Sequence, residues 1–529
     1  MKNKKSIIFL VIILNFIFTS QPLFSSVYDQ KELSGNDSTT LKVVEGIIQL
    51  FKQKPDVVWP GYNLAEQPFI VYTPGKWVLL INYPHQIEDF TPYPANWPDL
   101  GTQAWIHFGS YQHLSGQLVF NFPIDTTKVV AVGIPEKIPK EMGQPEVLIF
   151  GYVVHEAFHQ YQRMAFGEIP WEREQKYPIL DQENTALACL EMRLLMDALK
   201  MMQSGNKEKC REYIEQFVAV RTYRWEQGDP FVAKYEQGLE INEGTAQYVQ
   251  YKSTDLIWQV KYRSSLTGSE NPLQIVFSST SLTEYLLNDF NERITGLSVS
   301  PEDMMRNRVY PVGSTQGFLL DYFGINWKKK AQKAGTAFSY ARIFREFLNM
   351  DETQFENLLK KAKNHYNYKE ILKSTADLIY KYSEGYKEAL KTFEAHPGYR
   401  IEVDLIARNI SRSRSSYGKR WTMDNGKIEL CNSYNIYTLR NKDLLLQVSK
   451  TGVFENTDWD TKFKKVKFFT SEIENLTIDD QPVEPIKEKS YKFNTIQLTG
   501  KDLVLKYSLK GKLRVSGNKY YIDLIQKPD

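Results

Sequence analysis

The chain of 529 residues is long enough for two to four folding units at roughly 100 to 200 residues each. Its 42% hydrophobic and 24% charged residues are ordinary for a globular chain and exclude collagen-like and wholly disordered readings. Lys and Arg (66) nearly balance Asp and Glu (63), a formal charge of +3, so neither a nucleic-acid nor an anionic-membrane partner is expected.

Lys2, Lys4 and Lys5 precede an apolar run from Ile7 to Phe18, followed by Ser20, Ser25 and Ser26. This is the layout of a secretory signal peptide over residues 1–26, and it predicts an extracytoplasmic chain, secreted or periplasmic. The run is shorter than the ~20 residues that cross a bilayer, and no comparable run follows, so no integral membrane segment is expected after signal cleavage. Residues 27–40 are polar and read as a flexible segment, after which Leu41, Val44, Ile48 and Phe51 recur at helical spacing.

Within residues 41–140 short aromatic and β-branched runs, such as Phe69 to Tyr72, Trp77 to Ile81 and Val129 to Val132, predict a β-rich region. Residues 141–396 read as helical. Val147 to Gln162 is one helix, and Glu183 to Gln203 with Lys207 to Trp225 form a helical hairpin across Ser204-Gly205-Asn206. Ile241 to Tyr251 is another helix, a further one opens near Phe318 with Ser314 as its N-cap, and at least two lie between Leu359 and Phe393. His396-Pro397-Gly398 ends the helical region. Residues 397–529 then alternate strands with turns at Asn425-Gly426, Asn441-Lys442-Asp443 and Gly517-Asn518, which predicts an all-β domain, a sandwich or a barrel. The expected fold class is α+β. Cys189, Cys210 and Cys431 are too few for a disulfide scaffold; Cys189 and Cys210 fall in neighbouring helices and could pair, but buried free thiols are the expected state.

The chemistry concentrates at His155-Glu156-Ala157-Phe158-His159, an H-E-x-x-H motif. On a helix, residues four apart share a face with Cβ atoms about 5–6 Å apart, so both imidazoles can reach one zinc ion at ~2.0–2.1 Å. Glu156, rotated about 100° from His155, lies where a general base would take a proton from a zinc-activated water. Apolar neighbours Ile149, Phe150, Val153, Val154 and Phe158 imply a buried helix, in which two histidines need partners. Catalytic zinc takes three protein ligands. The remaining histidines have no metal-like spacing, so a carboxylate is the third candidate, and Glu243 in Glu240-Ile241-Asn242-Glu243-Gly244-Thr245-Ala246-Gln247-Tyr248 is preferred to Glu183. Glu183 follows Asp181 in the first turn of a helix, where acidic residues are expected for dipole reasons alone.

H-E-x-x-H followed by a helix reading N-E-G-x-A-x-Y resembles the gluzincin metallopeptidases. The resemblance implies a zincin-like catalytic domain, zinc on His155, His159 and Glu243, and Glu156 as base. Where thermolysin-like members carry a histidine-supporting Asp four residues after the Glu ligand, this chain has Gln247, and Glu240 is the candidate for that role. The G-x-M-E-N segment of the zinc aminopeptidases is absent. An oxyanion donor is expected from Tyr310 or Tyr248, with Tyr310 preferred, and a substrate-aligning edge strand from Thr102 to Phe108 or Leu118 to Phe122. The expected function is an exported zinc metallopeptidase acting on peptide or protein substrates. The competing expectation is a catalytically inactive, accessory zincin-fold binding protein at the cell surface, against which the intact Glu156 stands.

Overall fold

The computed structural model of the chain describes residues 35–112, 114, 118–139, 143–167, 174–277, 281–294, 300–406, 409–416, 418–484 and 488–524, and the signal-like segment lies outside them. The first element, α1 (Gly35–Gln53), takes in residues read as part of the flexible segment. Their polarity misleads because it is satisfied internally: buried Asp37 accepts a hydrogen bond from the Trp77 indole at 2.9 Å, and the Thr40 hydroxyl donates to the Asn36 carbonyl.

Six strands follow, β1 (Phe69–Thr73), β2 (Trp77–Ile81), β3 (Thr91–Pro92), β4 (Ala104–Phe108), β5 (Val119–Ile124) and β6 (Thr127–Gly133). They form one sheet in the order β3-β4-β2-β1-β6-β5, in which only β1 and β6 run parallel. Period-two alternation divides its faces. Phe69, Val71, Leu79, Val130 and Val132 join the main core under the helices, while Ile70, Tyr72, Leu80, Phe122 and Ala131 close a smaller core with Phe90 and Tyr111.

The helical region starts with α2 (Pro145–Phe166), opened by a proline in its first turn and closed at Gly167. The hairpin is α3 (Gln182–Gln203) and α4 (Lys207–Gln227), capped at their starts by the side chains of Asp181 and Asn206. Next, α5 (Pro230–Leu239), a single π-turn at Glu240–Gly244 and α6 (Thr245–Ile257) run on without a break. Short helices α7 (Gln274–Phe277), α8 (Leu282–Ile294) and α9 (Pro301–Met305) lead to α10 (Val309–Tyr322), and α11 (Trp327–Ala334), α12 (Tyr340–Leu348), α13 (Glu352–His365) and α14 (Tyr368–Glu394) complete the region. Helix α10 begins well before Phe318, so Ser314 is not an N-cap; it is buried inside the helix, its hydroxyl facing the Pro311 carbonyl. The three cysteines are buried free thiols.

The C-terminal strands are β7 (Tyr399–Ile406), β8 (Ser411–Ser416), β9 (Arg420–Met423), β10 (Ile428–Arg440), β11 (Leu444–Thr457), β12 (Phe463–Thr470) and β13 (Asn475–Ile478). They continue as β14 (Gln481–Pro482), β15 (Lys489–Phe493), β16 (Ile496–Gly500), β17 (Leu503–Tyr507), β18 (Gly511–Ser516) and β19 (Lys519–Asp523). The three expected turns close hairpins β9–β10, β10–β11 and β18–β19. Yet the strands make neither a two-sheet sandwich nor a closed barrel. They form one thirteen-stranded sheet curled as a half-barrel, because long β11 pairs β17 at one end and β12 at the other, with Lys450 at φ 52 between. A bulge between Cys431 and Tyr434 bends β10 alongside it.

The half-barrel shares a core with the helices, in which Trp421, Leu430 and Phe454 meet Tyr235, Met305 and Val309. At this junction the β9–β10 turn meets the 3-10 turn Glu174–Lys176: Gly426 has φ +78, and a Cβ there would lie 1.8 Å from the Gln175 carbonyl oxygen. Gly426→Ala is therefore expected to destabilise the chain by about 1–3 kcal/mol, read as a lower urea midpoint with an unchanged far-UV spectrum; a midpoint equal to the parent's would contradict this docking.

Candidate metal centre

Helix α2 presents His155 and His159 on one buried face, with ring centroids 4.9 Å apart. The π-turn presents Glu243 to them, its Oε2 lying 3.3 Å from His155 Nε2 and 3.4 Å from His159 Nε2. All three ligand atoms lie within 4.8 Å of one another, close enough to hold one metal ion. Metal bonds of ~2.0–2.1 Å at tetrahedral angles require ligand separations of about 3.3–3.4 Å, which the two carboxylate–imidazole distances meet. Glu183 is exposed on α3 and takes no part.

Both histidines are oriented from behind by glutamines, neither of which stood out in the sequence. Gln162 Oε1 accepts from His159 Nδ1 at 2.6 Å, and Gln250 Oε1 accepts from His155 Nδ1 at 3.2 Å. Each bond leaves Nε2 as the ring nitrogen that faces Glu243. Gly151 makes room for Gln250, since a Cβ there would meet its amide nitrogen at 2.6 Å. The spacing of Gln162, one turn beyond His159, was a usable signal; Gln250 was legible only once the π-turn was known. Gln247 instead donates to the Tyr251 hydroxyl and to Asp289.

Glu240 supports no histidine. Its carboxylate pairs with Arg221, inside a buried network in which Arg221 and Arg224 clasp Glu191 at 2.7 Å while Arg224 and Arg308 share Glu236. The lone Glu looked like a histidine partner because its arginine lies on another helix. The network ties α3, α4, α5, the π-turn and the lead-in to α10 together behind the site. Removing one partner would strand a buried charge, at a cost of about 3–5 kcal/mol.

Tyr310 belongs to the site and Tyr248 does not. Tyr310 stacks on His155 with centroids 6.1 Å apart and planes 17° from parallel, whereas the Tyr248 hydroxyl faces Asp321 within the aromatic core. Glycines set this geometry: a Cβ on Gly244 would meet the Cα of Gly313 at 2.7 Å, so only a glycine pair lets α10 lie this close to the π-turn. Arg306, unnoticed in the sequence, reaches over from α9; one nitrogen lies 2.8 Å from Glu174 and another 3.8 Å from the Oε1 of Glu243.

No protein-family model, curated protein or solved structure matches the chain.

The electrostatics of the site are those of a closely packed charge cluster. Burial opposes a charge on His159, but the field and hydrogen bond of Glu243, together with Glu156, outweigh it and lift the imidazole to about 9. Burial also works against ionised Glu243, yet the two imidazoles hold it well below the usual carboxylate range. Burial raises Glu156, partly offset by the same histidines. Tyr310 is raised first by burial and then by Glu243, so its hydroxyl keeps its proton and remains a donor.

A raised folded-state value for His159 stabilises the metal-free chain below the unfolded imidazole value near ~6.5 and ceases to do so as pH climbs through about 9. Chelator-treated protein should accordingly melt at a lower temperature at pH 9.5 than at pH 6.5, and His159→Gln should flatten that difference; equal pH dependence in both would contradict the pairing.

Proposed function

We propose that the chain is an exported zinc-dependent metallopeptidase of gluzincin type, with zinc on His155, His159 and Glu243 and a peptide or protein as substrate. The carrying observation is the pair of carboxylate–imidazole distances, 3.3 and 3.4 Å, in a buried two-histidine, one-carboxylate donor set. Bound there, zinc supplies a Lewis acid that polarises a carbonyl and acidifies water. Glu156, whose Oε2 lies 3.9 Å from His159 Nε2, is beside the donor set without being part of it. Burial raises its affinity for protons above that of an ordinary carboxylate, the direction that suits a base that accepts a proton from water and returns it to the leaving amine. The protonated hydroxyl of Tyr310 faces the same space and donates to the oxygen that gains charge.

The sheet supports a place for the substrate. β5 is an edge strand, and Arg163 on α2 donates to Asn121 within it at 2.9 Å, so an extended peptide could pair along this edge beside the histidine helix. β4 is flanked by β2 and β3, whereas among the described residues β5 pairs only with β6. Among the described residues no helix is long and apolar enough to cross a membrane. Export rests on the signal-like residues 1–26.

Metal analysis of the purified chain should find about one zinc per molecule, lost in His155→Ala. Glu156→Gln should keep the metal while lowering kcat on a peptide library about 10²–10⁴-fold. A metal-free chain would refute the proposal, and a zinc-loaded chain that cleaves no peptide would favour the accessory binding protein. Gln162→Ala should weaken zinc about 10–100-fold in a competitive chelator titration, because the imidazole it orients is then free to turn.

A further inference from the structure

The two carboxylate oxygens of Glu243 have different neighbours. Oε2 faces both histidines, 3.3 and 3.4 Å from their Nε2 atoms. Oε1 faces a terminal nitrogen of Arg306 at 3.8 Å and the Asn242 amide at 3.4 Å. Asn242 belongs to the π-turn itself and moves with it, whereas Arg306 comes from the separate link between α9 and α10. The other terminal nitrogen of Arg306 donates to Glu174 at 2.8 Å, and both of these side chains are only 19% exposed. Glu174 opens a 3-10 turn that is fixed on two sides. The Tyr177 hydroxyl, just beyond the turn, donates to Glu236 at 2.6 Å in the buried network, and the Gln175 carbonyl lies against Gly426 of the β9–β10 turn.

We propose that Arg306 is a positioning residue for Glu243, holding its carboxylate so that Oε2 alone faces the zinc site, and that Glu174 ties this hold to the docked half-barrel. The inference deepens the zinc peptidase reading and rests on it. A carboxylate offers a metal one oxygen or two. Beside two histidines, a second oxygen would take the fourth place of a tetrahedral site, the place a catalytic zinc keeps open. Engaging Oε1 from the side away from the histidines prevents that. A guanidinium suits the task, because its planar fork addresses two carboxylates at once and never loses its charge. Charge alone predicts the opposite sign for its removal. A cation near the site repels a metal ion, and without Arg306 the carboxylate of Glu174 would be left unmatched, so a purely electrostatic Arg306 would weaken zinc binding. A positioning Arg306 strengthens it. The half-barrel thereby acquires a task, because its β9–β10 turn backs the segment that anchors Arg306.

The test measures zinc affinity of the full chain by competitive chelator titration, with the visible absorption of the cobalt(II)-loaded chain as a report on the number of donor atoms. Arg306→Gln should weaken zinc about 10–100-fold and change the cobalt bands in position or intensity. Arg306→Lys should fall between parent and Arg306→Gln, since one ammonium cannot address both carboxylates in the same way. Glu174→Gln should also weaken zinc, and the double variant Arg306→Gln/Glu174→Gln should be no weaker than Arg306→Gln alone, because the two act in series. Thermal melts of the metal-free variants check folding; should Arg306→Gln fail to fold, Glu174→Gln decides, because it leaves Arg306 in place and loosens only its anchor. Zinc bound as tightly as in the parent or more tightly, or a cobalt spectrum that stays the same, would overturn the positioning role. A parent chain that binds zinc but cleaves no peptide would overturn the peptidase reading alone, since neither measurement depends on cleavage, and a parent that takes up no zinc would overturn both.

Discussion

The amide of Gln162 is the joint on which the site depends. A π-turn displaces one residue from the regular helical ladder, leaving backbone carbonyls that must find donors elsewhere. The two N–H groups of the Gln162 amide are shared among three acceptors, the carbonyls of Ile241 at 3.0 Å and Asn242 at 2.7 Å and the Thr245 hydroxyl at 2.6 Å. Because those carbonyls can only accept, the amide is held one way round, and its oxygen is directed at His159 Nδ1. One side chain thus satisfies the irregular turn that carries Glu243, fixes the tautomer of a histidine on the facing helix, and sets the separation between the two.

Much of the site was legible in the sequence because it obeys local periodicity. His155, Glu156 and His159 needed only helical spacing, and Glu243 stood out by its neighbours Asn242, Gly244 and Ala246. The hairpin of α3 and α4 and the three C-terminal turns were equally plain, since polar breaks interrupt strong apolar patterns. What was hidden depends on contacts between distant segments. Gln250 and Arg306 are ordinary polar residues until the fold brings them to His155 and Glu243. Glu240 and Ser314 were misread for the same reason. Each has a standard local use, as a support for a neighbouring histidine or a helix cap, and tertiary packing gives each a different one. The curl of the half-barrel was not legible either, because a long strand that pairs different partners at its two ends has the same alternation as any other strand.

Charge burial behind the site follows a consistent pattern. Arg221, Arg224, Glu191 and Glu236 are wholly enclosed, which is expensive unless each is matched several times over, as they are here. Apolar side chains of similar volume could fill this space, but they would not fix the directions of α5, α10 and the π-turn relative to one another. Bidentate ion pairs are intolerant of small rotations. The network therefore suits a site whose ligand atoms must hold separations of 3.3 and 3.4 Å.

The parallel pairing of β19 with β7 bears on how the molecule is made. β7 opens the half-barrel and β19 is its last strand, yet the two are direct neighbours, with β12 on the other side of β7. During synthesis that edge of β7 lacks this partner until Lys519–Asp523 have left the ribosome, so the sheet closes only once its other strands have been made. Trp421, Leu430 and Phe454, which cover the helical region, belong to that late-forming sheet. Helices α5, α9 and α10, whose Tyr235, Met305 and Val309 lie in that core, consequently wait, with apolar surface open, for this strand to arrive. A nascent chain of this design benefits from chaperone cover until that closure, and loss of β19 would be felt in the helical region through the core the two share.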